Sequence, residues 1–260
     1  MPQRNLRGTV ADFRGKGVCV VTGAARGIGA ATALAAGRKG YAVCVNYVKA
    51  QAEANAVRQA IEQMGVRAIA SCADVSREQE VKALFSAVDE ALGPVTALVN
   101  NAGAAGTRAR LVDIEADHFR GILDINLLGT FLSTKEAVRR MAKSSGGGGG
   151  AIVNLSSTAV RTGGMRIAPY VAAKAGIEGL TRALGVELAE EGIRINAVSP
   201  GIIATEQQPL ADEAWRRRVI ATIPLARLGT ADEVAQAILW LLSDEAAYVT
   251  GTVLDIAGGR

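Results

Sequence analysis

Short apolar runs alternate with longer amphipathic stretches along most of the 260-residue chain. Runs of this length are typical of strands that are buried on both faces of a parallel sheet. Between them, apolar residues recur at the i, i+3, i+4 and i+7 positions of a helix, as in Val57, Ala60, Ile61 and Met64. The alternation predicts an α/β fold with one doubly wound parallel sheet of about seven strands and helices on both faces. The predicted strands are 16–22, 42–46, 67–71, 96–100, 151–155, 194–198 and 252–256.

No stretch of the sequence interrupts this alternation as an interdomain linker would. The glycine tract at 146–150 directly precedes a predicted strand, so we interpret it as a flexible loop. We therefore expect one domain over residues 1–260, of which 1–15 form an N-terminal basic extension. Residues 1–17 hold four basic groups and one acid, so they carry +3 of the formal net charge of +4. Because the positive charge is concentrated in that tail, it does not predict a nucleic-acid surface.

Composition excludes several further classes of protein and site. No stretch approaches the roughly 18 uninterrupted apolar residues of a membrane span. The N-terminal region lacks the apolar core of a secretion signal, so we expect a cytoplasmic protein that does not bind membranes. Cys19, Cys44, Cys72 and the single histidine, His118, are too dispersed to predict a metal site. We interpret the three thiols, each in or beside a predicted strand, as buried apolar groups.

A glycine-rich turn follows the first predicted strand. It runs Thr22-Gly23-Ala24-Ala25-Arg26-Gly27-Ile28-Gly29 and opens the first helix. Glycines allow the backbone to turn tightly and to approach a pyrophosphate, whose charge a helix N-terminus then stabilises. The G-x-x-x-G-x-G spacing indicates a dinucleotide-binding turn, although glycines at a strand–helix junction also serve close packing.

Tyr170 and Lys174 lie four residues apart at the start of a helix predicted at 169–191. This spacing places the phenol and the ammonium one turn apart on the same helix face. A nearby cation stabilises a phenolate and lowers the pKa of the tyrosine, which makes that tyrosine usable as a general acid or base. The alternative is an ordinary pair of surface residues.

These motifs, together with others in the same order along the chain, resemble those of the short-chain dehydrogenase/reductase family. The others are Asp74-Val75, Asn100-Asn101-Ala102-Gly103, Asn126, Ser157, which lies thirteen residues before Tyr170, and Pro200-Gly201. The resemblance covers about residues 15–260. It implies a Rossmann-type fold and an NAD(P)-dependent oxidoreductase that acts on CH–OH and C=O groups.

The resemblance implies a catalytic tetrad of Asn126, Ser157, Tyr170 and Lys174. Tyr170 would donate a proton to the carbonyl oxygen during reduction, or accept one from the alcohol during oxidation. Lys174 would lower the pKa of Tyr170 and hold the nicotinamide ribose, while Ser157 would hydrogen-bond the substrate oxygen. Asn126 would anchor a water that links Lys174 to a proton relay. Ser156 is a rival for the serine role, but the spacing from Tyr170 favours Ser157.

The resemblance also implies contacts with a nicotinamide cofactor, which carries the hydride because no protein side chain can supply one. These contacts come from the glycine turn, the ends of several strands and the tetrad: Gly23, Ala25, Arg26, Gly27, Ile28, Gly29, Asn46, Tyr47, Asp74, Val75, Asn101, Ala102, Gly103, Tyr170, Lys174, Pro200, Gly201, Ile203 and Thr205. For Val75 and Ile203 the alternative is plain packing, and Pro200-Gly201 is also a simple turn signal.

The residues at the end of the second predicted strand favour NADP(H). NAD-dependent enzymes usually place an acid at this point to bind the ribose hydroxyls. Here the residues are Asn46, Tyr47, Val48 and Lys49, and Arg26 lies in the glycine turn. Without a carboxylate to repel it, the 2′-phosphate of NADP can bind here, and the nearby cations attract it. We therefore predict NADP(H) as the preferred cofactor, with NAD(H) as the alternative.

The predicted substrate-binding segments are 104–110, 161–168 and 202–222. They include Arg108, Arg110, Arg161 and Arg166, which favour an anionic or polyhydroxylated substrate unless they are simply solvated. The resemblance implies two branches, dehydrogenases of sugars or small alcohols and reductases of beta-ketoacyl thioesters on a carrier protein. A non-catalytic NADP(H)-binding regulatory protein is the alternative from another class.

The resemblance further implies a homotetramer. It would be built from helices at about 115–142 and 169–191 and from the last strand. Small residues on the second helix, such as Ala172 and Gly176, permit a close approach between helices. They are equally suited to packing inside one subunit.

Overall fold

Seven strands form the central sheet of the computed structural model, which describes residues 16–204 and 213–260. These strands are β1 (Val18–Val21), β2 (Ala42–Tyr47), β3 (Ala68–Cys72), β4 (Val95–Asn100), β5 (Gly150–Leu155), β6 (Ile193–Pro200) and β9 (Val253–Ile256), while the short strands β7 (Ile203–Ala204) and β8 (Gly229–Thr230) pair separately. The sheet order is β3-β2-β1-β4-β5-β6-β9, and all its pairings are parallel. The predicted doubly wound parallel sheet is confirmed.

Helices cover both faces of the sheet. They are α1 (Gly27–Arg38), α2 (Gln51–Glu62), α3 (Glu78–Ala91), α4 (Ala116–Leu123), α5 (Gly129–Met141), α6 (Ala159–Thr162), α7 (Ala168–Glu187), α8 (Glu213–Ile220) and α9 (Ala231–Leu242). On one face, Ile61 of α2 and Ile238 of α9 belong to the same apolar core. On the other, Phe85 of α3 packs in a second core with Leu132 and Met141 of α5. Burial on both faces explains why the strands are continuous apolar runs.

The helix predicted at 115–142 is divided. A π-helical turn at Asp124–Leu128 lies between α4 and α5, and the side chain of Asn126 is fully buried within it. A π turn inserts an extra residue into the helical repeat and often occurs at functional sites. The expectation of one regular helix over 115–142 is therefore wrong.

The three cysteines do not share one environment. Cys19 and Cys44 are buried in β1 and β2, and burial raises the pKa of the Cys19 thiol to about 12 and raises that of Cys44 as well. Cys72 is exposed, so its interpretation as a buried group was wrong. The reason is that Cys72 ends β3, which is an edge strand of the sheet.

No group of three or more His, Cys, Asp or Glu side chains in residues 16–204 and 213–260 is arranged to hold a metal ion. Within the same ranges, no helix has both the length and the apolar character needed to cross a bilayer.

The chain reverses direction across the sheet between β1 and β4. After β1 it builds β2 and β3 on one side, and it then returns to place β4 on the other side of β1. In open α/β sheets this switch point leaves a crevice at the carboxyl ends of the two central strands, where ligands bind. The glycine turn and residues 101–110 both leave the sheet here.

Candidate active site

Two side chains fasten the glycine turn to the loop after β4. The Thr22 hydroxyl oxygen accepts hydrogen bonds from the backbone N–H groups of Asn101 and Ala102, each at 3.0 Å. The Asn101 amide in turn donates to the carbonyl oxygens of Thr22 and Gly23, each at 2.9 Å. The turn and the loop therefore form one unit at the switch point. Thr22 stands in the motif, but nothing in the sequence predicted this role.

The glycine turn has the shape and the free donors that a pyrophosphate requires. A Cβ atom at Gly29 would lie 2.4 Å from the carbonyl oxygen of Gly23, so only glycine fits there. Helix α1 begins at Gly27, after an extended Arg26, and no side chain of the described residues caps it. Its first N–H groups thus remain available to an anion, and the exposed guanidinium of Arg26 adds positive charge. Ala25 and Ile28 lie half-buried in the same turn.

Asn46 supports the turn through its side chain. The buried amide accepts a hydrogen bond from the Gly23 N–H at 3.1 Å and donates to the carbonyl oxygen of Ala73 at 2.9 Å. It therefore connects the turn with the ends of β2 and β3. Beyond it, Tyr47 is half-buried and Lys49 is exposed.

Asp74 and Val75 follow β3 and differ in environment. The Asp74 carboxylate accepts hydrogen bonds from the Ser76 N–H at 3.0 Å and the Ser76 hydroxyl at 2.7 Å. Val75 is buried, and a Cβ atom at Gly129 would lie only 2.7 Å from its Cγ2 atom. Val75 therefore packs against the start of α5, and Asp74 orders the loop that borders the crevice.

Lys174 and Tyr170 lie together on the first turns of α7, as their spacing predicts. The Nζ atom of Lys174 is 5.5 Å from the centroid of the Tyr170 ring and donates a 2.6 Å hydrogen bond to the carbonyl oxygen of Leu155. Burial lowers the pKa of Lys174 to about 8. Burial also raises the pKa of Tyr170, and the nearby Ser157 hydroxyl partly offsets this rise. The lowered tyrosine pKa expected from the lysine is thus not found in the free protein, because Nζ is turned toward Leu155.

The two adjacent serines point to different partners. The buried Ser156 hydroxyl donates to the Glu178 carboxylate of α7 at 2.7 Å. The half-buried Ser157 hydroxyl accepts a hydrogen bond from the Ala159 N–H at 3.2 Å, and it lies near enough to the Tyr170 phenol to lower the pKa of that group. This arrangement leaves Ser157 beside the phenol and commits Ser156 to holding α7.

Asn126 and Gly103 complete the wall opposite Lys174. The Asn126 amide nitrogen donates to the carbonyl oxygens of Ala104 and Ile122, at 2.9 and 2.8 Å. Its Oδ1 atom is buried and has no hydrogen-bond partner among the described residues. A Cβ atom at Gly103 would lie 2.6 Å from this oxygen and 3.5 Å from the Lys174 Nζ. An unpaired buried acceptor near an ammonium is a suitable position for a water molecule.

The segment after β6 lies at the far side of the site. The Pro200 carbonyl oxygen accepts a hydrogen bond from the Thr158 N–H at 3.1 Å, which links it to the Ser157 region. A Cβ atom at Gly201 would lie 2.9 Å from the Ala257 Cα. Ile203 is buried in the apolar core, as its packing interpretation predicts. Thr205 belongs to the range 205–212, which lies outside the described residues. The predicted extension at 1–15 also lies outside them.

Sequence reasoning also missed a buried polar chain behind the site. The Asn100 amide donates to the Thr134 hydroxyl and to the Asn154 carbonyl oxygen, both at 2.9 Å. The Asn154 amide donates to the Thr181 hydroxyl, also at 2.9 Å. The chain joins α5, β4, β5 and α7. Asparagine inside the apolar run of β5 was the available signal, since a buried amide requires partners.

Comparison with known proteins agrees with this geometry. A family model described as enoyl-(acyl carrier protein) reductase matches residues 23–260. The chain is 46% identical to the uncharacterized oxidoreductase YgfF of Escherichia coli K12, over 94% of this chain and 99% of that one. It is 38% identical to the 3-oxoacyl-[acyl-carrier-protein] reductase FabG of Staphylococcus aureus, over 92% and 96% of the two chains.

Two more relatives extend the range of names. Glucose 1-dehydrogenase 2 of Bacillus subtilis is 36% identical, over 95% of both chains. A solved structure described as a short-chain alcohol dehydrogenase from Sinorhizobium meliloti 1021 superposes with a TM-score of 0.88 at 36% identity, covering 94% of this chain and 96% of the other. The chain therefore belongs to the short-chain dehydrogenase/reductase family and is an oxidoreductase that acts on CH–OH or C=O groups.

Proposed function

We propose that the protein transfers a hydride between NADP(H) and a carbonyl or alcohol substrate at Asn126, Ser157, Tyr170 and Lys174. The observation that carries the proposal is the grouping of the Ser157 hydroxyl, the half-buried Tyr170 phenol and the buried Lys174 ammonium, whose Nζ atom lies 5.5 Å from the Tyr170 ring centroid. A hydroxyl pair next to a desolvated cation is suited to proton transfer to a substrate oxygen. The complete tetrad favours a catalyst over a regulatory protein that only binds the cofactor.

The nicotinamide ring, when bound, supplies or accepts the hydride. During reduction, Ser157 donates a hydrogen bond to the substrate oxygen and Tyr170 gives its proton to that oxygen. During oxidation, Tyr170 first loses its proton, and the phenolate oxygen then takes the proton of the alcohol. Because burial raises the pKa of Tyr170, the phenol retains its proton until a substrate oxygen accepts it. The Lys174 ammonium stabilises the resulting phenolate, and a water at the Asn126 Oδ1 returns the proton.

Cofactor binding is proposed for the glycine turn, the loop after β4 and the ends of β2, β3 and β6. The residues involved are Gly23, Ala25, Arg26, Gly27, Ile28, Gly29, Asn46, Tyr47, Asp74, Val75, Asn101, Ala102, Gly103, Pro200, Gly201, Ile203 and Thr205, with Tyr170 and Lys174 at the ribose. Of these, Asn46 acts through Gly23, because its amide is fully engaged with the backbone. Val75 acts through the shape of the loop, because its side chain is packed against α5.

NADP(H) is the proposed preferred cofactor. Residues 46–49 contain no carboxylate, and the side chains of Arg26 and Lys49 are both exposed. We expect a lower KM for NADPH than for NADH. Arg26→Gln should raise the KM for NADPH about tenfold, the effect of losing one charge-assisted hydrogen bond, and should leave the KM for NADH unchanged. A lower KM for NADH in the unmodified protein would overturn this preference.

Two substrate classes are proposed. The first comprises sugars and small alcohols or ketones, and the second comprises beta-ketoacyl thioesters. Relatives of the protein include a glucose dehydrogenase and a 3-oxoacyl reductase, which supports both classes. The test is a panel of sugars, alcohols, ketones and ketoacyl thioesters, followed by NADPH absorbance. Tyr170→Phe should abolish turnover of the reactive members while cofactor binding, measured by NADPH fluorescence, persists. Turnover that survives this substitution would exclude the proposed mechanism.

We also propose one catalytic domain over 1–260, a homotetramer and a cytoplasmic location. Exposed apolar side chains support the assembly: Phe131 on α5, Val186 on α7 and Trp240 on α9 are 44%, 83% and 40% exposed. Apolar groups of this size on several helices favour contacts between subunits. Light scattering coupled to size exclusion measures the mass of the assembly, and a monomer would refute the proposal.

A further inference from the structure

Three arginines near the active site lack, among the residues that the structure describes, the acidic partners that many other arginines have. Arg120 pairs with Asp117, for example, and Arg161 donates to the Asp255 carboxylate at 3.0 Å. By contrast, the exposed residues Arg108, Arg110 and Arg166 form no ion pair or side-chain hydrogen bond with any residue in 16–204 or 213–260. The sequence around them offers no acid either, because 101–110 and 156–168 contain neither Asp nor Glu.

These arginines lie on two loops that are tied to each other. The Ala109 N–H donates a 3.0 Å hydrogen bond to the carbonyl oxygen of Arg166. Arg166 itself has a φ of +63°, a left-handed conformation that is disfavoured for a residue with a Cβ atom. Strained non-glycine residues persist where the surroundings hold them, and they cluster at binding and active sites. The structure thus fixes Arg166 beside the Arg108–Arg110 segment.

Both loops are anchored to the tetrad. The first begins at Gly103, between Asn126 and Lys174, and continues through Gly106, whose Cβ would lie 2.6 Å from the Ile122 Cδ1 atom. The second ends at the start of α7, two residues before Tyr170. The three arginines therefore lie on the two loops that border the site where the substrate oxygen is proposed to bind.

We infer that the substrate of this protein carries an anionic oxygen group, a carboxylate or a phosphate, which Arg166 and Arg108 bind with support from Arg110. The inference rests on the proposed function, because it assigns the substrate class of the same site. A guanidinium matches the planar oxygen pairs of these anions, and uncompensated charges at a cleft raise the local concentration of anionic ligands. Arg161 is not part of the group, because Asp255 and the main-chain oxygen of Arg260 already engage it.

Matched pairs of ketones test the inference. The carboxylate pair is acetoacetate and methyl acetoacetate, and the phosphate pair is dihydroxyacetone phosphate and dihydroxyacetone. Each is assayed with NADPH using the full chain and the variants Arg108→Gln, Arg166→Gln, Arg166→Lys and Arg166→Gly. Arg166→Gly retains access to the left-handed backbone, so it separates charge from strain. Arg38→Gln is the control, because Arg38 is an exposed arginine at the end of α1 that also lacks an ion pair among the described residues.

We expect kcat/KM to be at least about tenfold higher for the anionic member of one pair, and the pair that shows this identifies the group as carboxylate or phosphate. Arg108→Gln, Arg166→Gln and Arg166→Gly should remove the preference by lowering only the anionic value. Arg166→Lys should retain part of it, and Arg38→Gln should retain all of it.

Equal or higher kcat/KM for the neutral members in the unmodified protein would overturn the inference, as would a preference that survives both glutamine variants. Those results leave the proposed function intact, because a ketone of one of the pairs is then still reduced in a reaction that Tyr170→Phe abolishes. If no member of either pair reacts, binding of acetoacetate and dihydroxyacetone phosphate to the NADPH complex is measured by calorimetry. The inference is also overturned if neither anion binds, or if binding is the same in the Arg166→Gln variant. The proposed function is then tested separately by the panel of sugars, alcohols, ketones and ketoacyl thioesters.

Discussion

The Lys174 ammonium donates a 2.6 Å hydrogen bond to the carbonyl oxygen of Leu155, the last residue of β5. This contact fixes α7 against the strand end only two residues before Ser157, so it also sets the position of Tyr170 relative to that serine. Lys174 is 4% exposed, which makes a single backbone carbonyl the main compensation for the lost hydration of its ammonium. Removal of this side chain should affect both catalysis and the pH dependence of stability.

Lys174→Met should lower kcat by about a hundredfold or more, because the cation that stabilises the tyrosinate is lost. Its effect on stability should depend on pH. Burial lowers the pKa of Lys174 to about 8 in the folded protein, whereas an unburied lysine has a pKa of 10.5. Between these values the unfolded chain binds more protons than the folded one, so this group makes the protein more stable as pH rises.

The free energy of unfolding of the unmodified protein should therefore gain roughly 3 kcal/mol relative to Lys174→Met between about pH 8 and 10.5. Urea unfolding at a series of pH values from 7 to 10.5 measures this difference. If the free energies of unfolding of the two proteins changed in parallel with pH, burial would not lower the pKa of Lys174.

Gly103→Ala should damage the proton relay with little change in fold. The added methyl group would lie 2.6 Å from the Asn126 Oδ1 atom, so that amide must move. We expect a decrease in kcat of about tenfold to a hundredfold, because small displacements at reacting groups have large effects on rate. Gly121→Ala on α4 is the control, since a Cβ there meets no atom within 4 Å. It should keep full activity and add about 0.5–1 kcal/mol of stability.

Substitution of Ser157 should affect kcat, whereas substitution of Ser156 should affect the free energy of unfolding. Ser157→Ala should lower kcat by about a hundredfold or more, since it removes a hydrogen-bond donor to the developing charge on the substrate oxygen. Ser156→Ala should instead reduce the free energy of unfolding by about 1 kcal/mol, because the Glu178 carboxylate loses its hydroxyl partner. Steady-state kinetics and urea unfolding of both variants provide the comparison. A larger loss of kcat in Ser156→Ala would reverse the assignment.

Gly29→Ala should act on the cofactor rather than on the chemical step. A Cβ at this position would lie 2.4 Å from the Gly23 carbonyl oxygen and 2.5 Å from the Asn101 amide nitrogen. The turn must then open, and we expect the KM for NADPH to rise at least about tenfold, equivalent to about 1.4 kcal/mol of binding. The kcat at saturating NADPH should fall much less. An unchanged KM would show that the turn does not hold the cofactor.

Periodic features of the sequence were sufficient to predict the strands and the overall topology. The apolar runs mark buried parallel strands because these are covered on both faces, and Cys72 departs from the rule because β3 lies at the sheet edge. The tetrad residues were identified by resemblance rather than by periodicity. What neither approach could predict are side-chain partners distant in the chain, such as the Asn46 amide between Gly23 and Ala73. Such contacts depend on the three-dimensional order of strands and not on local spacing.

The division of the helix at Asp124–Leu128 illustrates a second limit. Apolar periodicity averages over several turns, so one inserted residue passes unnoticed, although it places Asn126 in the interior. The direction of the Lys174 side chain was unpredictable for a related reason. Its spacing from Tyr170 fixes a helix face but does not fix which acceptor, Leu155 or the phenol, the ammonium approaches.

The link between Thr22 and the loop after β4 has a consequence for how the protein assembles. Thr22 and Asn101 are 79 residues apart in the chain, so the glycine turn acquires its final shape only after β4 has docked beside β1. Contacts between such distant residues form late and slow the folding of a chain. A cofactor that needs this turn binds only molecules whose central strands are already paired, and so it draws the folding equilibrium toward completed sheets by mass action.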